Sequence, residues 1–372
     1  MGVVMLLHIG IIVLFFLLGT FINDSKLKNG NKIYLFITFF VLYIMSAFRS
    51  INIGNDTRDY FLMYENFGRT DNILSMPSDI EVGYRVLNKF LYSLNPSPVL
   101  LTSITSLFVL GSIFFFIYKN SEIPWLSVML FINLRTFYFT LSGIRQSIAL
   151  AIILISYKYL KQGNFWKFVS LVILASTFHT SSLLFLIIYP MSRMRVKQKI
   201  IALYFGVSVV FFFILERILP LILNFIPKYQ SYLSSSYFES VKLASILNFL
   251  VSFSILLFGF FVLKYVKSKR KVNNELGILS VNSNLLLHIM LLSTAFNFIA
   301  INGSIIKRAG LYFSVFAIIY IPNLIKKIKD KNIKILIIYL ILVLSLAYNL
   351  VILIYRPEWQ RVYPYELFWD VF

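Results

Sequence analysis

Apolar residues in this chain gather in long unbroken runs, and the polar residues between them are short, basic interruptions. The runs occupy residues 3–22, 33–48, 99–118, 124–139, 147–160, 200–219, 243–263, 279–301, 310–325 and 335–355. Several come close to the ~20 residues that carry a helix across a bilayer core at ~1.5 Å per residue. Continuity argues against a membrane barrel, whose strands alternate lipid-facing and lumen-facing residues. Helices satisfy their own backbone groups in lipid, so the pattern predicts helices throughout. A further apolar segment, residues 168–190, is interrupted by Thr177-Phe-His-Thr-Ser-Ser182. It predicts a pair of half-crossing helices that turn at this string. The longest polar stretch, residues 49–98, closes on Ile80, Tyr84, Leu87, Leu91 and Leu94, a helical spacing suited to lying along the membrane interface. The first run has neither a basic flank nor a small-residue cleavage site, so it reads as a retained helix.

Composition settles the solvent. The 372 residues are 59% hydrophobic and 13% charged, and the mean hydropathy is +0.81. A soluble domain is ~45–50% apolar and would have too little polar surface at this composition. The formal net charge of +20 concentrates in Lys26/Lys28/Lys32, Lys158/Lys161/Lys167, Arg193/Arg195/Lys197/Lys199, residues 264–271 and residues 326–334. The positive-inside rule makes these cytoplasmic loops, with both termini outside. Basic clusters flank residues 168–190 on both sides, so one full crossing there would invert every loop that follows. The expected fold is therefore all-α: a polytopic integral membrane protein with about ten full transmembrane helices plus a broken or re-entrant helix pair. It is expected to be a single transmembrane domain over residues 1–372, with outer loops at 49–98 and 220–242. Charge scattered over short loops argues against nucleic-acid binding. The absence of cysteine and only three scattered histidines argue against a transition-metal site, and no Walker A or dinucleotide motif is present; Asp56 and Asp59 are two carboxylates that alone argue weakly for a divalent ion.

The candidate chemistry sits at the edges of the apolar runs. Arg49-Ser-Ile-Asn-Ile-Gly-Asn-Asp-Thr-Arg-Asp-Tyr60 is the densest such string. Gly54 permits close backbone approach, Asn55, Asp56 and Thr57 favour a turn, and Arg49, Arg58 and Tyr60 suit phosphate or sugar hydroxyls. The plain alternative is a helix start capped by Asp56 or Thr57 and running through Tyr60 and Tyr64. Arg145, followed by Gln146, lies just inside a span, where an arginine costs ~2.5–3.5 kcal/mol on insertion scales. Its plain alternative is snorkelling to the headgroups. Lys307-Arg308 repeats the arrangement at the start of another span. His179 stands at the proposed turn beside Thr177, Thr180, Ser181 and Ser182, where its ordinary pKa near ~6.5 suits proton transfer. His8 and His288 lie in plain apolar runs and read as packing residues. Together these features point to an outward-facing site for an anionic ligand.

The order of motifs along the chain resembles the EpsG family of multispanning exopolysaccharide and capsule polymerases, functionally akin to Wzy-type polymerases. The resemblance rests on Arg49, Ile53-Gly-Asn-Asp-Thr57 and Tyr60, then Glu81-x-Gly-Tyr84 with Leu87-Asn88. It continues through Arg145-Gln146 before Ala149, Phe178-His179 with Ser181, Arg308 with Tyr312-Phe313, and Tyr363-Pro-Tyr365. Val82 stands where the family commonly has proline. The resemblance implies a glycosyltransferase at the outer face of a bacterial plasma membrane that joins polyprenyl-pyrophosphate-linked oligosaccharide repeat units. Asp56, Arg145, His179 and Arg308 would be catalytic, with Asp56 or His179 as the base. Arg49, Asn55, Thr57, Arg58, Tyr60, Glu81, Gln146 and Lys307 would bind substrate. No cofactor is implied; the partners would be the lipid-linked glycan, membrane lipid, and flippase and chain-length regulator proteins. A flippase or exporter of the same glycan, or a membrane acyltransferase acting on surface sugars, are the alternative activities.

Overall fold

A computed structural model describes residues 2–25, 27–73, 79–224, 243–270, 281–303 and 306–371. Most of the expected outer loop 220–242 lies outside the described residues, as do Lys26, Lys271 and Ser304. The chain is all-α, apart from one antiparallel bridge between Arg49 and Leu367. In order, the helices are α1 (Gly2–Asp24), α2 (Gly30–Ala47), α3 (Thr57–Arg69), α4 (Val82–Leu94), α5 (Pro98–Asn120), α6 (Pro124–Asn133), α7 (Thr136–Ser142) and α8 (Ile144–Gln162). There follow α9 (Phe165–Ser176), α10 (Ile188–Ser192), α11 (Gln198–Asn224), α12 (Leu243–Arg270), α13 (Val281–Ile299), α14 (Lys307–Ser314), α15 (Ala317–Lys326) and α16 (Lys331–Tyr355).

Among the described residues, six stretches are helical, long and apolar enough to cross a membrane: Gly30–Ala47, Pro98–Asn120, Gln198–Leu215, Leu243–Lys269, Lys307–Lys326 and Lys331–Tyr355. Their outward faces carry bare hydrophobics such as Phe36, Phe213, Phe261, Leu336 and Val343. Such faces are stable against lipid and unfavourable against water. These helices make the chain a polytopic membrane protein. The other predicted runs are less uniform. Residues 124–139 divide into α6 and α7 because Arg135 between them adopts a left-handed backbone, φ 65°. Helix α8 carries Arg145 near one end and Lys158 and Lys161 near the other.

Two compact units are formed, one from residues 1–156, 173–180 and 329–372, the other from 157–172 and 181–328. In the first, α2 packs on α5 through the Ser46 and Ser106 hydroxyls, 2.7 Å apart, and through Thr102 Oγ1 donating to the Ala47 carbonyl at 2.7 Å. Every residue of α6 is buried there. Helix α3 packs on α4 through the ring pairs Tyr60–Tyr84 and Tyr64–Tyr92. In the second unit, α13 packs against α10, α11, α12 and α14.

The chain over 165–192 folds back on itself. Helix α9 ends at Ser176, and a 3-10 helix, Thr180–Ile187, leads into α10. The Phe168 and Phe185 rings lie tilted with centroids 6.0 Å apart, Phe165 meets Tyr189, and Tyr189 donates to the Gly163 carbonyl at 3.0 Å. This pairing, late residues against early ones, is that of an antiparallel return. The 12 residues of α9 extend only ~18 Å, short of a ~30 Å bilayer core.

Candidate functional site

The turn before α3 is built by glycine and by short side-chain bonds. Gly54 has φ +88°, and a Cβ there would lie 2.5 Å from the Leu141 carbonyl oxygen, so only glycine fits. The Gly54 amide donates to the Arg361 carbonyl at 3.0 Å, and the Asn55 amide to Ser142 Oγ at 3.1 Å. Buried Thr57 donates its hydroxyl to the Ile53 carbonyl at 2.5 Å. Asp56 holds the N-cap position of α3, yet its carboxylate makes no capping bond and stays exposed. Asn55 and Arg58 are exposed beside it. The helix through Tyr60 and Tyr64 forms as expected.

Beneath the turn lies a buried polar cluster drawn from α3, α4, α8 and the turn after α9. Glu81, immediately before α4, takes four contacts. Arg145 Nη1 approaches its Oε2 at 2.5 Å, the Thr180 amide and hydroxyl each donate to Oε1 at 3.2 Å, and His179 Nδ1 lies 3.6 Å from Oε1. Only 5% of the Glu81 side chain and 9% of that of His179 are exposed. The Gly83 amide donates to the Thr177 carbonyl at 2.8 Å, which fixes the start of α4 against the turn that carries His179. A Cβ on Gly83 would meet the Thr177 hydroxyl at 2.4 Å, so this approach needs glycine. Tyr60 is hydrogen-bonded to Arg145, and its ring packs edge-on against Tyr84 at 5.7 Å. Burial raises the pKa of both phenols, with Arg145 opposing the shift. Both therefore remain neutral hydrogen-bonding groups at physiological pH.

Arg49 sits behind the two tyrosines and is 1% exposed. Its Nη1 donates to the Ser46 carbonyl, while Nε and Nη2 have no hydrogen-bond partner among the described residues. Burial lowers its pKa to about 10, with Tyr365, Tyr84 and Tyr60 opposing, so it stays a cation near neutrality. It lines a chamber of about 10 Å3 with Ser46, Thr105, Ser106, Thr140 and Ser147, room enough for one water molecule. The cluster thus holds two guanidinium groups, Arg49 and Arg145, against one carboxylate, Glu81. It is predisposed to a further anion.

The remaining predicted residues fall elsewhere. Gln146 is buried on α8, next in sequence to Arg145. Lys307 is exposed and Arg308 half-buried in the first turn of α14, in the second unit. His8 and His288 are packed and hydrogen-bonded, His8 to the Val362 carbonyl and Tyr138, His288 to Tyr204 and the Met194 carbonyl. Among the described residues no group of three or more His, Asp or Glu side chains could hold a metal ion.

In the sequence Thr180 is marked only as a neighbour of His179, and Arg135 carries no marked role. Arg135 is buried and donates to Asn349 and Gln360 at 3.1 and 2.6 Å. The signal used for Arg145, an arginine at membrane depth, applied to it equally. The C-terminal segment laces back over the 48–55 turn. The Ser50 amide donates to the Glu366 carbonyl at 2.9 Å, the Phe368 amide to the Phe48 carbonyl at 2.9 Å, and the Tyr365 hydroxyl to the Met45 carbonyl. Only Tyr363-Pro-Tyr365 marked it in the sequence.

No curated protein and no solved structure matches the chain. The sequence model of the EpsG family matches residues 32–367, a stretch that holds every residue of the cluster and nearly all of the helices. The chain belongs to the EpsG family, which gives it a role in exopolysaccharide biosynthesis.

Proposed function

We propose that this protein is a membrane glycosyltransferase that joins polyprenyl-pyrophosphate-linked oligosaccharide repeat units into a surface polysaccharide. In this reading the chain crosses a bacterial plasma membrane about ten times, with residues 165–192 re-entrant and the cluster facing outward. The observation that carries the reading is the buried set Arg49, Tyr60, Glu81, Arg145 and His179, with two cations to one anion. Such a set suits a ligand that brings charged oxygens and hydroxyl groups together.

The reaction breaks the bond between the anomeric carbon of one unit and its pyrophosphate oxygen. It forms a bond from that carbon to a hydroxyl oxygen of a second lipid-linked unit. The departing polyprenyl pyrophosphate keeps the electron pair, and the hydroxyl proton passes to a base. We take His179 as the base: it is buried with Nδ1 3.6 Å from Glu81 Oε1, and that carboxylate would stabilise the imidazolium that forms. Asp56, exposed at the head of α3, stands at the rim and acts on the cluster through its charge on Tyr60. Arg145 holds the departing pyrophosphate: one nitrogen engages Glu81, Nε has no other partner, and the planar fork can serve both directions at once. Arg49 adds fixed positive charge from behind. Arg308 and Lys307 are assigned to the phosphate or lipid-proximal part of a substrate, on charge alone.

Arg145→Lys tests this directly. Lysine can still pair with Glu81 but cannot present a second nitrogen to the pyrophosphate. Losing about 3 kcal/mol of transition-state stabilisation slows the reaction roughly a hundredfold or more. Cells carrying the variant should display single repeat units on the outer face and little long polymer. Single units held at the inner face would instead mark the protein as a transporter of the glycan.

A further inference from the structure

The turn before α3 and the C-terminal segment enclose an open cleft of about 360 Å3, lined in part by Asn52, Asn55, Arg58, Arg361, Tyr363 and Glu366. Its size falls within the ~300–1,000 Å3 of small-molecule sites. The two walls are tied together. The Gly54 amide donates to the Arg361 carbonyl at 3.0 Å, Asn55 Nδ2 to the Trp359 carbonyl at 3.3 Å, and Arg49 bridges Leu367. The Glu366 carboxylate is occupied by Asn52 Nδ2 at 2.8 Å and the Ser50 hydroxyl at 3.3 Å. The guanidinium groups of Arg58 and Arg361 are different: neither has an ion pair or a hydrogen bond to another group among the described residues. Arg361 is also held at φ +43°, a left-handed backbone that non-glycine residues seldom adopt. The surroundings impose that conformation, and with it the placement of the arginine on the cleft wall.

The geometry points to a subsite for an acidic saccharide, a sugar that carries a carboxylate or a phosphate. Two unpaired guanidinium forks match the paired oxygens of such a group. The carboxamides of Asn52 and Asn55 can meet ring hydroxyls, and the Tyr363 ring offers a flat apolar face to a pyranose. Two arginines against the one carboxylate of Glu366 leave the cleft lining net positive. This assignment rests on the glycan-joining reading and adds to it the class of sugar held next to the joining site. The phosphate of an anionic lipid headgroup shares this chemistry, so the test separates the two sources.

The full chain in phosphatidylcholine nanodiscs is titrated calorimetrically with a hyaluronan tetrasaccharide, which carries glucuronate, and with chitotetraose, which is neutral. The acidic probe should bind at least about tenfold more tightly, and Arg58→Gln with Arg361→Gln should remove that preference without changing the weak binding of chitotetraose. Both substitutions are at exposed side chains; an unchanged circular dichroism spectrum and melting point confirm that the fold survives. Equal affinity for both probes, no binding of the acidic probe, or a preference that persists in the double variant overturns the proposal. Loss of acidic-probe binding when phosphatidylglycerol replaces phosphatidylcholine overturns it too, in favour of a lipid headgroup site. Binding is read at equilibrium without chemistry, so this result and that of Arg145→Lys stand or fall separately.

Discussion

Glu81→Gln removes the only carboxylate that pairs with Arg145 and His179 among the described salt bridges, and leaves the side chain's shape almost unchanged. Glutamine can still accept from the Thr180 amide and hydroxyl, now at 3.2 Å, so the turn need not come apart. The charge cannot be replaced. Breaking a buried ion pair by removing one partner costs about 3–5 kcal/mol, because the other charge stays behind uncompensated. Since 19% of the Arg145 side chain is exposed, solvent offsets part of this, which places the cost at about 3 kcal/mol. At roughly 2–4 °C per kcal/mol for domains of moderate size, the melting midpoint in detergent should fall by about 6–12 °C. The double variant Glu81→Gln with Arg145→Met removes both charges and should recover part of that loss, a coupling that a thermodynamic cycle over the four proteins measures. Polymer yield should stay low in all three variants. A midpoint within about one degree of the parent for Glu81→Gln would refute the reasoning. So would additive single-variant effects, since additivity means the two side chains do not interact.

Arg49→Met offers the opposite signature: the lost charge is buried with two nitrogens unpartnered, so melting should be unchanged or raised while polymer falls. A clear drop in the midpoint would make Arg49 a structural residue. Gln162→Cys and Gln198→Cys, each the sole cysteine of its chain and each exposed, should be labelled by a membrane-impermeant thiol reagent from the same side of the membrane. Labelling from opposite sides would contradict a re-entrant 165–192 segment.

The parts of this architecture that the sequence makes readable are those governed by short-range rules. Helix α3 begins at Thr57 because Gly-Asn-Asp-Thr ends a run and the next residues have helical spacing. The fold-back near His179 was legible because basic residues flank the segment on both sides, a constraint that needs no tertiary knowledge. Depth and long-range contact are another matter. Arg49 reads as a loop residue open to substrate, and only packing of α2 on α5 reveals that it is enclosed. Glu81 is marked in the sequence by the Glu81-x-Gly-Tyr84 motif alone; its partners Arg145 and Thr180 lie 64 and 99 residues away. The division of residues 124–139 at Arg135 escapes a hydropathy reading, because that segment is uniformly apolar on either side. The cleft beside Arg361 is equally invisible, since it joins the turn before α3 to a chain end about 300 residues later through bonds to the Arg361 and Trp359 carbonyls, groups that any residue carries.

The central claim is that the protein joins glycans, and the fate of its substrate decides it. The purified protein is incubated in nanodiscs with the polyprenyl-pyrophosphate-linked repeat unit of the producing cells, and the lipid-linked glycans are separated by length. The account predicts a ladder of longer lipid-linked glycans, with one polyprenyl pyrophosphate released for each bond formed and both products lost with Arg145→Lys. Recovery of the repeat unit at its original length, with no pyrophosphate lipid released, would contradict it.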